Sequence, residues 1–369
     1  MKTRLFLVVI LLLSFSFLET SNTFSQDKKK KKSVKEVIKD VNKKDQTDTK
    51  QTDLKKIIEE NVTDPNTTQK NADDNSNITS QKVSHILQTN HFYKFGSAQD
   101  EGSKVTETFF DDYGNVIEFS EYDSDGSVLK KEKYSYDGNK MTEHIQYNSD
   151  GEIEQKETFK YDRDQLIEYS VYSSDGELEK KSIYKYENNL LKEETLYNSS
   201  GEPEAKIVYA YKGELLSSKS RYNPEGELQE KLVINYHDNG KPSEEIFYDS
   251  DGSVIRKIVY RLNAFGNIKE KIEFDDDGEQ VSKTTYNYDT NNRLIEEAEY
   301  VSDNELLKKN SYTYNDLDLK TQSIEYDSDG KQVNKFLYHY DSAKRLIKAI
   351  SLNLLEEPVF ETRYKYEIK

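Results

Sequence analysis

The sequence predicts an all-β fold: an elongated repeat array of antiparallel β-hairpins, about ten units of 25 to 26 residues, laid out as an open or partly curled meander sheet. Three observations carry this reading. Aromatic pairs recur at that interval, as in Tyr134/Tyr136, Phe159/Tyr161, Tyr184/Tyr186, Tyr209/Tyr211, Tyr286/Tyr288 and Tyr364/Tyr366. A glycine turn keeps step with them at Gly126, Gly151, Gly176, Gly201, Gly226, Gly252, Gly278 and Gly330, mostly inside Asp-Ser-Asp-Gly or a close variant. Between the turns apolar and polar residues alternate, which is the period of a strand and not of a helix.

Taken in order, residues 1–25 read as a secretory signal peptide. Lys2 and Arg4 precede an apolar run from Leu5 to about Leu18, and the small residues Thr23 and Ser25 permit cleavage. Export is therefore expected, to the periplasm, the outer surface or the medium. The apolar run is short for a span, so no transmembrane segment is expected after signal removal. Residues 26–80 read as a disordered Lys/Asp/Asn-rich spacer without an aromatic residue. Residues 81–107, with His91, Phe92, Tyr93 and Phe95, read as a degenerate N-terminal capping unit. Residues 108–369 are the tyrosine-rich hairpin repeat domain.

The spacing inside the repeats separates strands from loops. The interval from Tyr122 to Tyr134, from Tyr172 to Tyr184 and from Tyr248 to Tyr260 is always 12 residues, whereas the next interval lengthens from 13 (Tyr134 to Tyr147) to 14 (Ile234 to Tyr248). Length variation confined to one loop is what strands require, because a one-residue slip turns every side chain to the other face. By parity, Tyr122, Tyr134 and Tyr136 share a face. Placing Tyr136 opposite Met141 sets Tyr134 opposite Glu143, Phe159 opposite Glu168, Tyr184 opposite Glu193, Tyr260 opposite Glu270 and Tyr286 opposite Glu296. The other face collects Lys131, Lys156, Lys181, Lys206 and Lys231.

Two uses of the tyrosine and glutamate ladder compete. In the structural one, rings pack on cross-strand neighbours for about 0.2 to 1 kcal/mol per pair. In the functional one, Tyr147, Tyr172, Tyr184, Tyr197, Tyr209 and Tyr222, with Glu168 and Glu193, form a platform for a protein or glycan ligand, the flat rings stacking and the carboxylates accepting hydrogen bonds.

Composition narrows the remaining classes. Only 34% of residues are hydrophobic while 33% are charged, so a thick core is not expected, and 28 tyrosines supply much of the buried area. A formal net charge of -17 disfavours nucleic acid as a partner. With no cysteine there is no disulfide, thiolate metal site or cysteine-linked lipid. The five histidines, His85, His91, His144, His237 and His339, lack metal-ligand spacing, and no nucleophile or phosphate-cradling motif is present. Asp249-Ser-Asp-Gly252 and its relatives invite a calcium reading but lack the further ligands of an EF-hand, and Asp and Asn also start turns. No catalytic residue, metal ligand, cofactor or enzymatic activity is expected.

Tyr-x-Tyr-Asp, a short loop, Leu-Ile-Glu and then Tyr-x-Ser-Asp-Gly-Glu resembles the YD or RHS-type repeats of bacterial exported proteins. The stretches Tyr161-Asp-Arg-Asp-Gln-Leu-Ile-Glu168 and Tyr288-Asp-Thr-Asn-Asn-Arg-Leu-Ile-Glu296 carry it best, and MORN-like hairpin repeats are the nearest competitor. RHS repeats wind into a shell around a toxin, a role that needs more units and a toxic domain. The expectation is an exported, non-enzymatic binding or structural repeat protein of a bacterial envelope, presenting a long Tyr/Glu-lined β surface to a glycan, peptide or protein partner. The alternative is an interaction module of a toxin or immunity system.

Overall fold

A computed structural model describes residues 82–369, so the expected signal peptide and spacer lie outside the described residues. From Val83–Lys94 to Pro358–Ile368 the chain is a meander of antiparallel strands. The glycine turns show why these residues reverse the chain. Asp123 N–H donates to the Ser127 carbonyl at 2.8 Å and Gly126 N–H to the Asp123 carbonyl at 2.9 Å, with Gly126 at φ 85°. That conformation carries little strain only without a Cβ. The first turn residue adds a side-chain cap: Asp249 Oδ1 accepts from the N–H groups of Asp251 and Ser253 at 3.0 and 2.8 Å, and Asn148 does the same with Asp150 and Glu152. The acidic motifs are thus occupied in building turns.

The sheet is not open. Val83–Lys94 pairs on one side with Ser103–Phe110, Leu87 opposite Glu107, and on the other with Pro358–Ile368, Gln88 opposite Tyr364 and Phe92 opposite Phe360. The result is a closed antiparallel barrel of 22 strands, with a two-residue strand, Ser97–Ala98, folded back on the end of the first. This corrects the open or partly curled meander expected from the repeats. The two ends of such a meander would each present a row of unpaired N–H and C=O groups. A single strand from the segment 81–107, expected as a cap, satisfies both rows.

A second correction concerns faces. Tyr136 lies opposite Met141, but Tyr134 lies opposite His144, not Glu143, because Thr142 bulges out of the ladder. The same one-residue bulge puts Phe159 opposite Tyr169, Tyr184 opposite Glu194, Tyr260 opposite Lys271 and Tyr286 opposite Glu297. A further bulge follows each glycine turn, as at Leu129. The extra residue reverses the parity that runs through the turn. Tyr122 consequently leaves the face of Tyr134, and its equivalents join the lysines: Tyr147 opposite Lys131, Tyr172 opposite Lys156, Tyr197 opposite Lys181 and Tyr222 opposite Lys206.

Register also decides which face is inside. Ile145 lies opposite both Lys133 and Lys156, although the repeat equivalent of Lys133 is Thr158, so each hairpin is staggered by two residues along its neighbour. Given the right-handed twist of strands, a constant stagger in this direction tilts the barrel wall with the lysine row outward and the tyrosine pairs inward. Burial agrees. Val171, Ile207, Ile258, Tyr338 and Tyr364, all on the tyrosine-pair face, are at most 9% exposed, while the outer face buries mostly small residues such as Ser120, Ser170 and Ala298.

Candidate functional site

Most inner tyrosines are committed to the wall, the buried Tyr364 hydroxyl being an exception. The second member of successive pairs donates its hydroxyl to a main-chain carbonyl twenty residues back: Tyr186 to Leu166, Tyr211 to Leu191, Tyr236 to Leu216, Tyr288 to Ile268, Tyr314 to Leu294, Tyr340 to Lys320 and Tyr366 to Leu346, at 2.7 to 3.0 Å. Each acceptor belongs to the residue just before a bulge, where the ladder is interrupted and a donor is needed. The first member reaches a carboxylate instead, as Tyr209 to Glu194 at 2.9 Å and Tyr260 to Glu245 at 3.1 Å. Burial first, then the neighbouring carboxylate, raises both phenols well above the usual range, so they stay neutral donors.

One inner cluster is ionic. His144 Nδ1 lies 3.0 Å from Glu157 Oε2 and its Nε2 3.6 Å from Glu132 Oε1, the latter an ion pair too long for a hydrogen bond. Tyr134 donates to Glu132 at 2.7 Å, Tyr169 to Glu157 at 2.8 Å, and Lys130 Nζ stands 2.6 Å from Glu132. Burial alone would lower the His144 pKa, but the two carboxylates outweigh it and bring it up to about 9. Burial would raise Glu132, yet the His144 imidazolium and hydrogen-bonded Lys130 and Tyr134 hold it at about 2. Sequence spacing gave no hint of this cluster, because the bulge at Thr142 is what brings His144 beside Tyr134. Its oxygens are spent on protein partners, which makes it a strut. Among the described residues, no group of three or more His, Cys, Asp or Glu side chains is placed to hold a metal ion.

The outer face differs in kind. Near the glycine-turn rim a lysine lies over an aromatic ring on hairpin after hairpin: Lys104 over Tyr122, Lys181 over Tyr197, Lys257 over Phe274, Lys283 over Tyr300 and Lys309 over Tyr326, at 4.5 to 5.3 Å from the centroid. A glutamate on the neighbouring strand pairs with lysines of the same row, as Glu118 with Lys131 at 2.8 Å, Glu143 with Lys156 at 2.5 Å and Glu193 with Lys206 at 2.5 Å. Glu193 also meets Lys185 at 2.7 Å, and these two lysines hold its carboxyl below the usual range. Among the described residues the hydroxyls of Tyr147, Tyr172, Tyr197 and Tyr222 make no intrachain hydrogen bond, and all four side chains are half-buried.

Of the eight expected platform residues, six therefore stand together outside: Tyr147, Tyr172, Tyr197, Tyr222, Glu168 and Glu193. Glu168 is paired with Lys160 at 2.6 Å. Tyr184 and Tyr209 are on the inner face and do not join them. Beside Tyr222 lies an open groove of about 420 Å³, lined by Pro203, Pro224, Ala205, Val208, Thr195 and Lys206.

Neither face offers the uninterrupted apolar band of a lipid-embedded barrel. The outer one carries a lysine in every hairpin, and the inner one carries Glu132, Glu157, Glu194, Lys219 and Arg221. Among the described residues, no helix is long and apolar enough to cross a membrane.

No family model matches the chain. No curated protein matches it either. Solved structures it is similar to include a porin-like protein from Bacteroides uniformis, at 13% identity and a TM-score of 0.29, covering 78% of this chain and 96% of that one. A porin-like protein from Bacteroides vulgatus aligns at 14% identity and a TM-score of 0.21, covering 78% of this chain and 99% of that one. The Tc holotoxin pore of Photorhabdus luminescens aligns at 10% identity and a TM-score of 0.24, covering 76% of this chain and 18% of that one. Likenesses this distant carry no inference about function.

Proposed function

We propose that the chain is an exported, non-enzymatic binding protein of a bacterial envelope, a water-soluble barrel that holds a glycan strand along the outer belt of tyrosines. The observation that supports this is the contrast between the two tyrosine rows. Most inner hydroxyls are spent on the wall, Tyr364 excepted, whereas those of Tyr147, Tyr172, Tyr197 and Tyr222 are left for an external partner; in the same outer row Tyr122 donates to Glu107 and falls outside this set. A sugar polymer presents apolar ring faces flanked by hydroxyls. Repeated flat rings with lysine donors and glutamate acceptors between them match that alternation. Export rests on the N-terminal signal, and the absence of enzymatic activity on the lack of a catalytic arrangement in the sequence.

The test is capture on insoluble peptidoglycan and on cell-wall polysaccharide. Replacing Tyr172 and Tyr197 together by Ala removes two stacking rings worth about 0.5 to 1.5 kcal/mol each, and should weaken capture roughly tenfold. Tyr184→Phe, on the inner face, should leave it unchanged. Equal capture by the native chain and the double variant would rule out the belt as the binding surface.

A further inference from the structure

One corner of the glycine-turn rim departs from the repeat. At the nine other turns of this rim the two residues before the glycine position are Ser, Asp, Glu or Pro, as in Ser124-Asp125, Pro224-Glu225 and Ser328-Asp329. The last turn has Leu354-Leu355, which are 69% and 78% exposed. Four residues after the glycine position, here Glu356, Phe360 stands where other repeats have Lys130, Gln155, Lys180, Ala205, Glu230 or Arg256. Its ring meets Phe92 across the barrel seam at 6.4 Å, and Phe92 is 59% exposed. The hairpin that extends the first strand ends in Phe95, 95% exposed and held at φ 54°, where bulky residues are rare.

Leu354, Leu355, Phe92 and Phe95 are exposed at one corner of the rim, with Phe360 half-buried against Phe92, and exposed apolar groups of this kind on soluble proteins mark interaction sites. Scattered exposed apolar residues would need no explanation, but these coincide with the one turn that breaks the repeat. The surroundings specify the occupant. Asp100 and Glu101 flank the hairpin, Glu357 follows the leucines and Asp327 opens the adjacent turn; Glu356 and Asp329 are paired with Lys335 and Lys331, and Lys94 lies over Phe95, so the corner keeps an acidic excess carried by the first four. An acidic frame around an apolar centre repels a second copy of its own rim and any anionic surface. It favours apolar side chains bracketed by lysine or arginine.

We infer that this corner is the docking site for a basic-flanked apolar segment of a partner protein, a surface separate from the outer tyrosine belt. The leucines and phenylalanines form the contact, and the acidic turns set orientation and encounter rate.

The experiment uses the full chain and a short synthetic Leu-Lys peptide as probe, with an oligolysine of equal charge beside it, read by fluorescence anisotropy. The variant is L354S combined with L355D, which restores the turn found in the other repeats and so leaves folding undisturbed. It also makes the rim more acidic, and this separates the two contributions. Docking at the corner requires the variant to bind the Leu-Lys peptide roughly tenfold more weakly than the native chain, with oligolysine held equally or more tightly. Tighter or equal binding of both peptides by the variant would reduce the effect to charge and overturn the proposal. Self-association that the variant abolishes would assign the corner to a second copy, and phosphatidylcholine-vesicle binding that it abolishes would assign it to lipid. Either outcome overturns the inference.

Discussion

His144 stacks flat on Tyr134, ring centroids 4.6 Å apart and planes 2° from parallel, while carboxylates of Glu132 and Glu157 flank its two nitrogens. The imidazolium is therefore part of the wall at neutral pH, and its loss has a pH signature. The His144 pKa is raised from 6.5 to about 9 on folding, so its contribution is complete below about 6.5 and disappears as pH rises through 9. The Glu132 pKa is depressed from 4.5 to about 2, so its contribution is complete above about 4.5 and disappears as pH falls through 2. Both are complete together only from about pH 4.5 to 6.5. Replacing His144 by Gln leaves Glu157 without its paired cation and Glu132 with Lys130 alone, at a cost of about 2 kcal/mol once water access to a single-layer wall is allowed for. Thermal melts should show the gap between native and variant widest in that window, at roughly 5 °C, and narrowing on both sides. A gap constant across the whole range would refute the ionic strut.

The tyrosine-to-carbonyl latches differ in energy from the outer tyrosines. Tyr288→Phe and Tyr366→Phe each remove the donor to a carbonyl that the adjacent bulge leaves outside the ladder. Each should cost about 0.5 to 1.5 kcal/mol, and the two should add because they are far apart along the wall. Tyr197→Phe, whose hydroxyl has no intrachain partner among the described residues, should change stability by less than about 0.5 kcal/mol. Urea unfolding of the three variants decides the matter. Equal effects at inner and outer positions would mean that the hydroxyl bonds contribute nothing beyond ring packing.

These contrasts show where sequence stops being legible. The tyrosine pairs, the glycine turns and the single variable loop are local features, and they are enough to fix strands, turns and the repeat. The bulges at Thr142, Ile167 and Lys192 have no residue type in common, since a bulge is a property of the ladder and needs no special side chain. They reversed the parity that placed Tyr122 with Tyr134, and they concealed the pairing of His144. Closure was concealed for a different reason. Val83–Lys94 carries neither a tyrosine pair nor an Asp-Ser-Asp-Gly turn, and its partner Tyr364 lies at the far end of the chain. Of the expected ligand platform, the outer residues were recognisable as tyrosines but not as a separate row, because the division into two rows depends on the bulges.

Closure by one strand makes the last prediction direct. Gln88 is 2% exposed and accepts from Thr106 Oγ1 at 3.0 Å on one side, while on the other Thr362 Oγ1 donates to Asn90 Oδ1 at 2.7 Å. Removing residues 83–94 would leave Ser103–Phe110 and Pro358–Ile368 as facing edges with their main-chain groups unpaired. Exposed edges recruit other strands, so the truncated chain should elute as oligomers in size-exclusion chromatography and melt at a lower temperature than the complete one. A synthetic peptide of residues 83–94 added in trans should return it to the size of the intact protein, because the gap accepts one strand in one register fixed by inward Gln88 and outward Leu87. A truncated chain that stayed monomeric with an unchanged melting temperature, and ignored the peptide, would mean that the repeats close or stabilise without the first strand.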